Sequence, residues 1–390
     1  MSTSWKFLNV ADRIGARLCR DAFRAEGRCN WLAAEGRSEE ASVYETMHPD
    51  LYGGTSGIAL FLARLHAATG ERIFRMTALG ALRHALAGVA DIPGPQRHGL
   101  YTGVPGIAYA AQFLGEHEQA IRLMKELAAD ERMPDSVDLI GGSAGLIAAS
   151  LALHRGSQEG FLLELAARHA QWLVHAGAAT TDGLSWDTGI ATAKRNMTGL
   201  AHGAAGIAWA LLELFHVTGE QEFRRASVDG FRYERSCFSG ERGWPDFRSE
   251  PPEYHAWWCH GAAGIGLSRL RAWQILGDET YRKEAEAALQ LTERKFAEPD
   301  FNYCLCHGKC GDAELFLYAS EVFGGDGYRA IAEKAATEGM ERYEKKRMPW
   351  PSGLRNGADT PGLMLGQAGI GYFYLRLHDP VKTPSVLLVS

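Results

Sequence analysis

The thiols and imidazoles able to do chemistry are concentrated in a few short stretches of this 390-residue sequence. In "NYCLCHGKCGD", Cys304, Cys306, His307 and Cys310 fall within seven positions. Such a cluster fits a complete metal site, part of one, or a disulfide knot, and several of its spacings would suit a metal. Two other stretches carry related groups: "WWCHGAAG", with Cys259 and His260, and "GLAHGAAG", with His202. Zinc takes about four ligands, at roughly 2.3 Å for sulfur and 2.0–2.1 Å for nitrogen, and a catalytic zinc keeps one position open. Cys259, Cys306 and His307 make a three-ligand set of that kind. Two thiolates and an imidazole suit zinc, and suit magnesium or calcium poorly. Taken singly, each cysteine reads as a small buried apolar residue.

The elements that must position these groups announce themselves as a repeat. A Gly-x-x-Gly step followed by an apolar run recurs seven times: "GTSGIALFLARL" from Gly54, "GVPGIAYAAQFL" from Gly103, "GSAGLIAASLAL" from Gly142, "GAAGIAWALLEL" from Gly203, "GAAGIGLSRLRA" from Gly261, "GKCGDAELFLYA" from Gly308 and "GQAGIGYFYLRL" from Gly366. The intervals run from 39 to 61 residues, the range of repeat architectures. The run after each step is apolar on nearly all sides, which predicts a buried helix. In four repeats a glycine follows (Gly70, Gly219, Gly277 and Gly324), suited to a left-handed helix C-cap. A charged, amphipathic segment such as "YRKEAEAALQLTERKF" then predicts an outer helix with one wet face. Strand signals are scarce.

Seven helical hairpins can form an open solenoid or close into a ring. Inner helices this apolar favour closure, so the expected fold is an all-α, α/α toroid of about seven hairpins. One domain is expected over residues 1–390, with 1–48 as a helical lead-in. In a toroid the Gly-x-x-Gly steps converge at one end, where helix N-termini give a positive potential. Four of the turns before the steps carry little obvious chemistry. The other three carry His202, the pair Cys259 and His260, and the pair Cys306 and His307. Two Cys-His-Gly triplets at one register of a repeat are hard to explain by packing.

Composition narrows the function. The formal charge is −6, which argues against a nucleic-acid partner. No run of eighteen apolar residues marks a membrane span, and the amphipathic N-terminus lacks a secretory apolar segment. A cytoplasmic protein is expected. The seven cysteines then read as metal ligands or thiols rather than a disulfide framework.

"WCHGAAGIG", "LCHG" and "GLAHGAAGIA", with the seven hairpins, resemble the lanthionine synthetase C-like family, the lanthipeptide cyclases. The resemblance runs from about Leu51 to the C-terminus. "GLMLGQAGIGYFYLRLHDP" and "PSVLLVS" are most similar to the cyclase domain of the fused class II synthetases, which carry a dehydratase domain ahead of it. A chain of 390 residues has no room for one, so a free-standing bacterial cyclase beside a separate dehydratase is expected. The resemblance implies one zinc, Zn2+, held by Cys259, Cys306 and His307. It implies addition of cysteine thiols of a leader-bearing, dehydrated precursor peptide to dehydroalanine or dehydrobutyrine, giving thioether rings. It makes His202 the acid/base and matches Asp138 to an aspartate of the family. Asp138 would orient a histidine, or cap a helix. His260 would assist catalysis, or make a supporting hydrogen bond. The pattern departs at His255, where some stand-alone members have arginine.

Two relatives of this reading stay open: addition of glutathione or another thiol, and a non-catalytic scaffold. A glycosidase on an α/α toroid would need paired carboxylates at the helix starts. Cys304 and Cys310 read as packing residues, with a fourth zinc ligand as the alternative. The region Arg224–Glu253 reads as a substrate-contacting insertion or as a plain loop with an outer helix.

Overall fold

Glycine decides where the helices begin. A computed structural model describes residues 3–36, 42–296 and 302–389. After α1 (Thr3–Asp21) come the pairs α2 (Thr55–Thr69) and α3 (Arg72–Ala87), α4 (Val104–Phe113) and α5 (His117–Ala128), α6 (Ser143–Ser157) and α7 (Phe161–Ala176), α8 (Ala204–Thr218) and α9 (Gln221–Cys237), α10 (Ala262–Leu276) and α11 (Glu279–Phe296), α12 (Lys309–Phe323) and α13 (Gly327–Gly339), then α14 (Gln367–His378). Every Gly-x-x-Gly step opens an even-numbered helix. The inner helices are buried nearly all round: in α8 every residue from Ala204 to Leu214 is buried, Glu213 included. The outer ones bury a single stripe, such as Ala120, Leu123, Met124 and Leu127 of α5.

The helix ends also follow the sequence. Gly70, Gly219 and Gly277 close their helices in the left-handed conformation, each donating its N–H to the carbonyl four residues back. Gly324 differs: its φ is +75° but its ψ is 172°, outside the αL well. In the third repeat Gln158 takes the αL position instead, at φ 59°.

The chain forms two compact units. One comprises Met1–Ile92, Ala110–His117 and Pro299–Leu387, and the other Pro93–Tyr109, Glu118–Glu298 and Leu388–Ser390. In the first unit the seventh hairpin is completed from the other end of the chain. α1 lies along α14 and buries Phe7, Val10, Ala11, Ile14 and Leu18 at helical spacing. Ser4 Oγ meets His378 Nδ1 at 2.7 Å, and the Phe7 and Tyr374 rings lie 6.1 Å apart. The lead-in is therefore an outer helix, and it is only partly helical. Residues up to 46 also form the antiparallel pairs β1 (Phe23–Ala25) with β2 (Arg28–Asn30), and β3 (Leu32–Gly36) with β4 (Ser42–Thr46). Met1, Ser2 and residues 37–41 of that lead-in lie outside the described residues.

The second unit has two more such pairs, β5 (Ala178–Thr180) with β6 (Gly183–Ser185), and β7 (Pro245–Asp246) with β8 (Glu253–Tyr254). Strands of two to five residues are too short to display alternation, which is why the sequence does not announce them. The loops that contain them seat buried tryptophans. Trp31 Nε1 donates to Leu18 O and Trp186 Nε1 to Leu173 O, both at 2.8 Å, so each tryptophan ties a loop to the outer helix before it.

The second glycine of six of the steps (Gly57, Gly145, Gly206, Gly264, Gly311 and Gly369) is required by close approach. A Cβ on Gly206 would sit 1.9 Å from Leu200 O, and one on Gly264 would sit 2.0 Å from Trp258 O. Each turn thus folds back onto the first helical turn, and backbone leaves no room for a methyl group. Gly70 is the contrast: nothing lies within 4 Å of its would-be Cβ, and only φ 76° favours glycine. Gly206→Ala should cost more than about 2 kcal/mol, because backbone must move, and Gly70→Ala about 1 kcal/mol. Urea midpoints at a common m-value measure both, and equal losses would refute the close-approach account.

Candidate active site

The turn before each inner helix is fixed by its neighbour. In the second unit the N–H of Tyr101 donates to Ile140 O (3.1 Å), Leu139 to Ala201 O (3.1 Å) and Ala201 to Cys259 O (3.3 Å). In the first, Cys306 donates to Met364 O (3.0 Å) and Met364 to Tyr52 O (2.8 Å). Apart from Leu139, one place further back, every residue in these bonds stands two places before the first glycine of its step. Cys259 and Cys306 both occupy that register, and His202, His260 and His307 follow it directly.

Asp138 and His202 meet across two turns. Asp138 Oδ2 accepts from His202 Nδ1 at 2.6 Å, and Oδ1 accepts the N–H of Gly141 at 2.8 Å. The aspartate therefore bonds an imidazole and its own turn, and it does not cap α6, whose N-cap is Gly142 with no side-chain cap hydrogen bond. The turn bond is general, since Asp50 Oδ1 accepts Gly53 N–H at 2.8 Å at the same register of the first repeat. The bond to an imidazole is the addition. The Asp138 side chain is buried, and it fixes the proton of His202 on Nδ1. Nε2 is then the atom able to exchange a proton, on a side chain 30% exposed.

His260 stacks on His202, with ring centroids 5.4 Å apart and planes 22° apart. Burial, and next the Arg248 guanidinium, push its imidazole down to about 3, so it is neutral at pH 7. Its Nδ1 is buried without a hydrogen-bond partner. Behind it stands a group the sequence did not single out. Arg248 Nη2 binds Asp246 Oδ2 at 2.5 Å. His255 Nε2 lies 3.2 Å from Glu253 Oε2 and 3.9 Å from Asp246 Oδ2, its ring flat on Trp257 at 3.8 Å. The cation acting on His260 is thus Arg248, seven residues before the His255 position. The available signal was "WPDFR", a buried tryptophan followed by an acid and a base in a loop.

Cys259 stands at the turn before α10, and Cys306 and His307 at the turn before α12; these are the three donors that the resemblance assigns to a metal. Both cysteines are buried, and all seven cysteines are reduced thiols. His307 Nε2 donates to Gly353 O at 2.9 Å, which places the ring proton there and directs the Nδ1 lone pair to a cation. Cys304 stands outside the group but is not idle, since its sulfur accepts the N–H of His307 at 3.3 Å. A Cβ on Gly353 would come 2.7 Å from that sulfur and 3.0 Å from His307 Nε2, so glycine there lets the loop close on both. Cys310 is buried in the first turn of α12, as a packing residue would be. Cys237 is the last residue of α9. The region Arg224–Glu253 divides likewise: its first part is α9, and the rest is the loop that carries Asp246 and Arg248.

The fold has known counterparts. Nisin cyclase superposes with a TM-score of 0.68 at 17% identity, covering 88% of this chain and 92% of that one. That likeness assigns the all-α toroid. A glycoside hydrolase family 76 mannosidase from Bacteroides thetaiotaomicron gives 0.56 at 13% identity, covering 96% and 98%. The Lacticin 481/lactococcin biosynthesis protein LcnDR2 of Lactococcus lactis subsp. lactis is 22% identical over 257 residues, 62% of this chain but only 25% of that relative's length. The sequence profile of the lanthionine synthetase C-like proteins matches residues 45–388. By that match, across nearly its whole length, the chain belongs to the lanthionine synthetase C-like protein family.

Proposed function

We propose that the protein is a lanthipeptide cyclase, a zinc enzyme that adds cysteine thiols of a dehydrated precursor peptide to its dehydroalanine or dehydrobutyrine residues. The carrying observation is the Asp138–His202 pair in a chain of this family whose Cys259, Cys306 and His307 occupy the same register of their turns. The donors fit zinc: two buried thiols and one imidazole whose other nitrogen is already bonded to a carbonyl. They leave a fourth position to supply. Zinc there would keep a substrate thiol deprotonated at neutral pH, and two thiolate ligands would keep that sulfur nucleophilic.

The chain's own residues then account for the proton. His202 Nε2 takes the proton of the incoming thiol, and Asp138 holds the resulting imidazolium through Nδ1–H. The sulfur bonds to the alkene β-carbon, and the π pair moves toward the adjacent carbonyl. His202 Nε2 returns the proton to the α-carbon, so the net change is addition of S–H across the double bond. His260 stands against the His202 ring as a neutral neighbour. The name of the lacticin relative supports the same class of pathway. The mannosidase likeness extends to the fold, and Asp138 is here committed to an imidazole.

Three outcomes are expected. Cys306→Ala should remove both bound zinc and ring formation, and one equivalent of zinc retained by the variant would sink the ligand assignment. His202→Asn should keep its zinc and lose about 10²- to 10⁴-fold in rate, the usual worth of a positioned acid/base. Unaltered turnover would remove His202 from the mechanism. Chelation should halt ring closure while the helical circular-dichroism signal persists, whereas collapse of that signal would mark the metal as structural. Mass spectrometry after thiol alkylation, on a synthetic peptide holding one cysteine and one dehydroalanine, reads the activity.

A further inference from the structure

A polar side chain of an outer helix reaches the start of its own inner helix in three hairpins. His84 Nδ1 meets Thr55 Oγ1 at 3.2 Å, and His169 Nδ1 meets Ser143 Oγ at 3.0 Å. In the α8–α9 hairpin the corresponding residue is Glu234, and it does something different. Its Oε1 accepts the N–H of Gly199 at 2.7 Å and the N–H of Ala205 at 2.9 Å. Those two amides bracket the turn that carries His202.

The carboxylate is completely buried. Its Oε2 faces Arg269 Nη2 at 3.2 Å, and Arg269, equally buried, binds Glu284 through Nε at 2.6 Å. Burial pushes the Glu234 carboxyl up to about 7, although Arg269 and the two amides pull it down. Taking a charge out of water is costly, and such pairs are poor investments in stability alone. Neutral imidazole suffices in the α2–α3 and α6–α7 hairpins. The neighbouring contacts point to the same segment. Tyr233 Oη donates to Asn196 O at 2.6 Å and Thr198 Oγ1 to Pro245 O at 2.6 Å. Gly199, at φ 106°, leaves only 2.9 Å between a would-be Cβ and Cys259 O. The segment is thus held on several sides, and among the described residues Glu234 is the side chain that accepts amides both before and after His202.

We propose that Glu234 is a positioning residue for His202: its Oε1 clamps the amides of Gly199 and Ala205 so that Nε2 of His202 stays aimed at the reacting carbon. This rests on His202 being the acid/base of the reaction. What matters on this account is reach to the amides rather than charge, and two substitutions separate these. Glu234→Asp keeps the charge and withdraws the oxygen by one methylene. Glu234→Gln keeps the reach, since its amide oxygen still accepts both N–H groups, and discards the charge.

The test measures kcat and KM on the one-cysteine, one-dehydroalanine peptide, with zinc content and amide hydrogen exchange at Gly199 and Ala205. E234D should lose about tenfold or more in kcat at unchanged KM and zinc content, as a misplaced catalytic group does, with faster exchange at both amides. E234Q should stay within about threefold of the wild-type kcat, a conservative rescue on the same principle of retained geometry. E234D at wild-type kcat, or E234Q slowed as far as E234D, would overturn the proposal. His202→Asn separates the two levels. If it turns over normally, the acid/base reading has failed whatever Glu234 does; if it is slow while E234D is normal, only the clamp has failed. Exchange at Gly199 and Ala205 reports the clamp without reference to activity, and unchanged exchange in E234D would also overturn it.

Discussion

One short backbone contact recurs at the turns that carry the reactive groups: a hydrogen bond from a residue two or three places before one helix-opening glycine to the residue two places before another. An N–H···O bond of about 3 Å holds two backbones as close as paired strands, about 5 Å apart. Side chains from segments far apart in sequence are thereby set at contact distance with little freedom. The contact exists only because each turn folds back onto its own helix. The second glycine of the step leaves that approach open, with backbone less than about 2.5 Å from any added Cβ. Glycine, turn and bond form one device, and the repeat copies it.

Chemistry enters the device by substitution at two adjacent places. Where the register holds Tyr52 or Met364, the turn is scaffold. Where it holds Cys259 or Cys306, followed by His260 or His307, the same backbone presents a thiol and an imidazole side by side. His202 uses the second place only, and a carboxylate from the preceding turn determines its tautomer. On the proposed reading, an acid/base and a metal group are built without dedicated loops. Precision comes from the scaffold's own hydrogen bonds, in line with the general need to hold reacting groups to a fraction of an ångström.

The polar interior follows a related logic. His84, His169 and Glu234 each run from an outer helix to an inner helix start, satisfying groups that would otherwise be buried without partners. The tryptophan braces at Trp31 and Trp186 do the same for loops and outer helices. Outer helices are thus more than a jacket, since their side chains reach the turns on which the chemistry sits.

Glycine spacing and apolar runs were enough to determine the inner helices, the outer helices and the register of Cys259, Cys306, His307 and His202, because these are local signals repeated seven times. Three things were decided only by the folded chain. α1 is the outer partner of α14, a pairing across 374 residues between Ser4 and His378 that no local pattern encodes. Asp138 binds His202 as well as its own turn, because two turns 64 residues apart are stitched side by side. Arg248, Asp246 and Glu234 reach the His202 and His260 region from a loop and an outer helix, where sequence periodicity marks only exposure and burial. The sequence by itself could specify what each turn carries, since that is a property of the repeat. Which carboxylate or guanidinium faces each imidazole depended on distances that arise only when separate turns pack together.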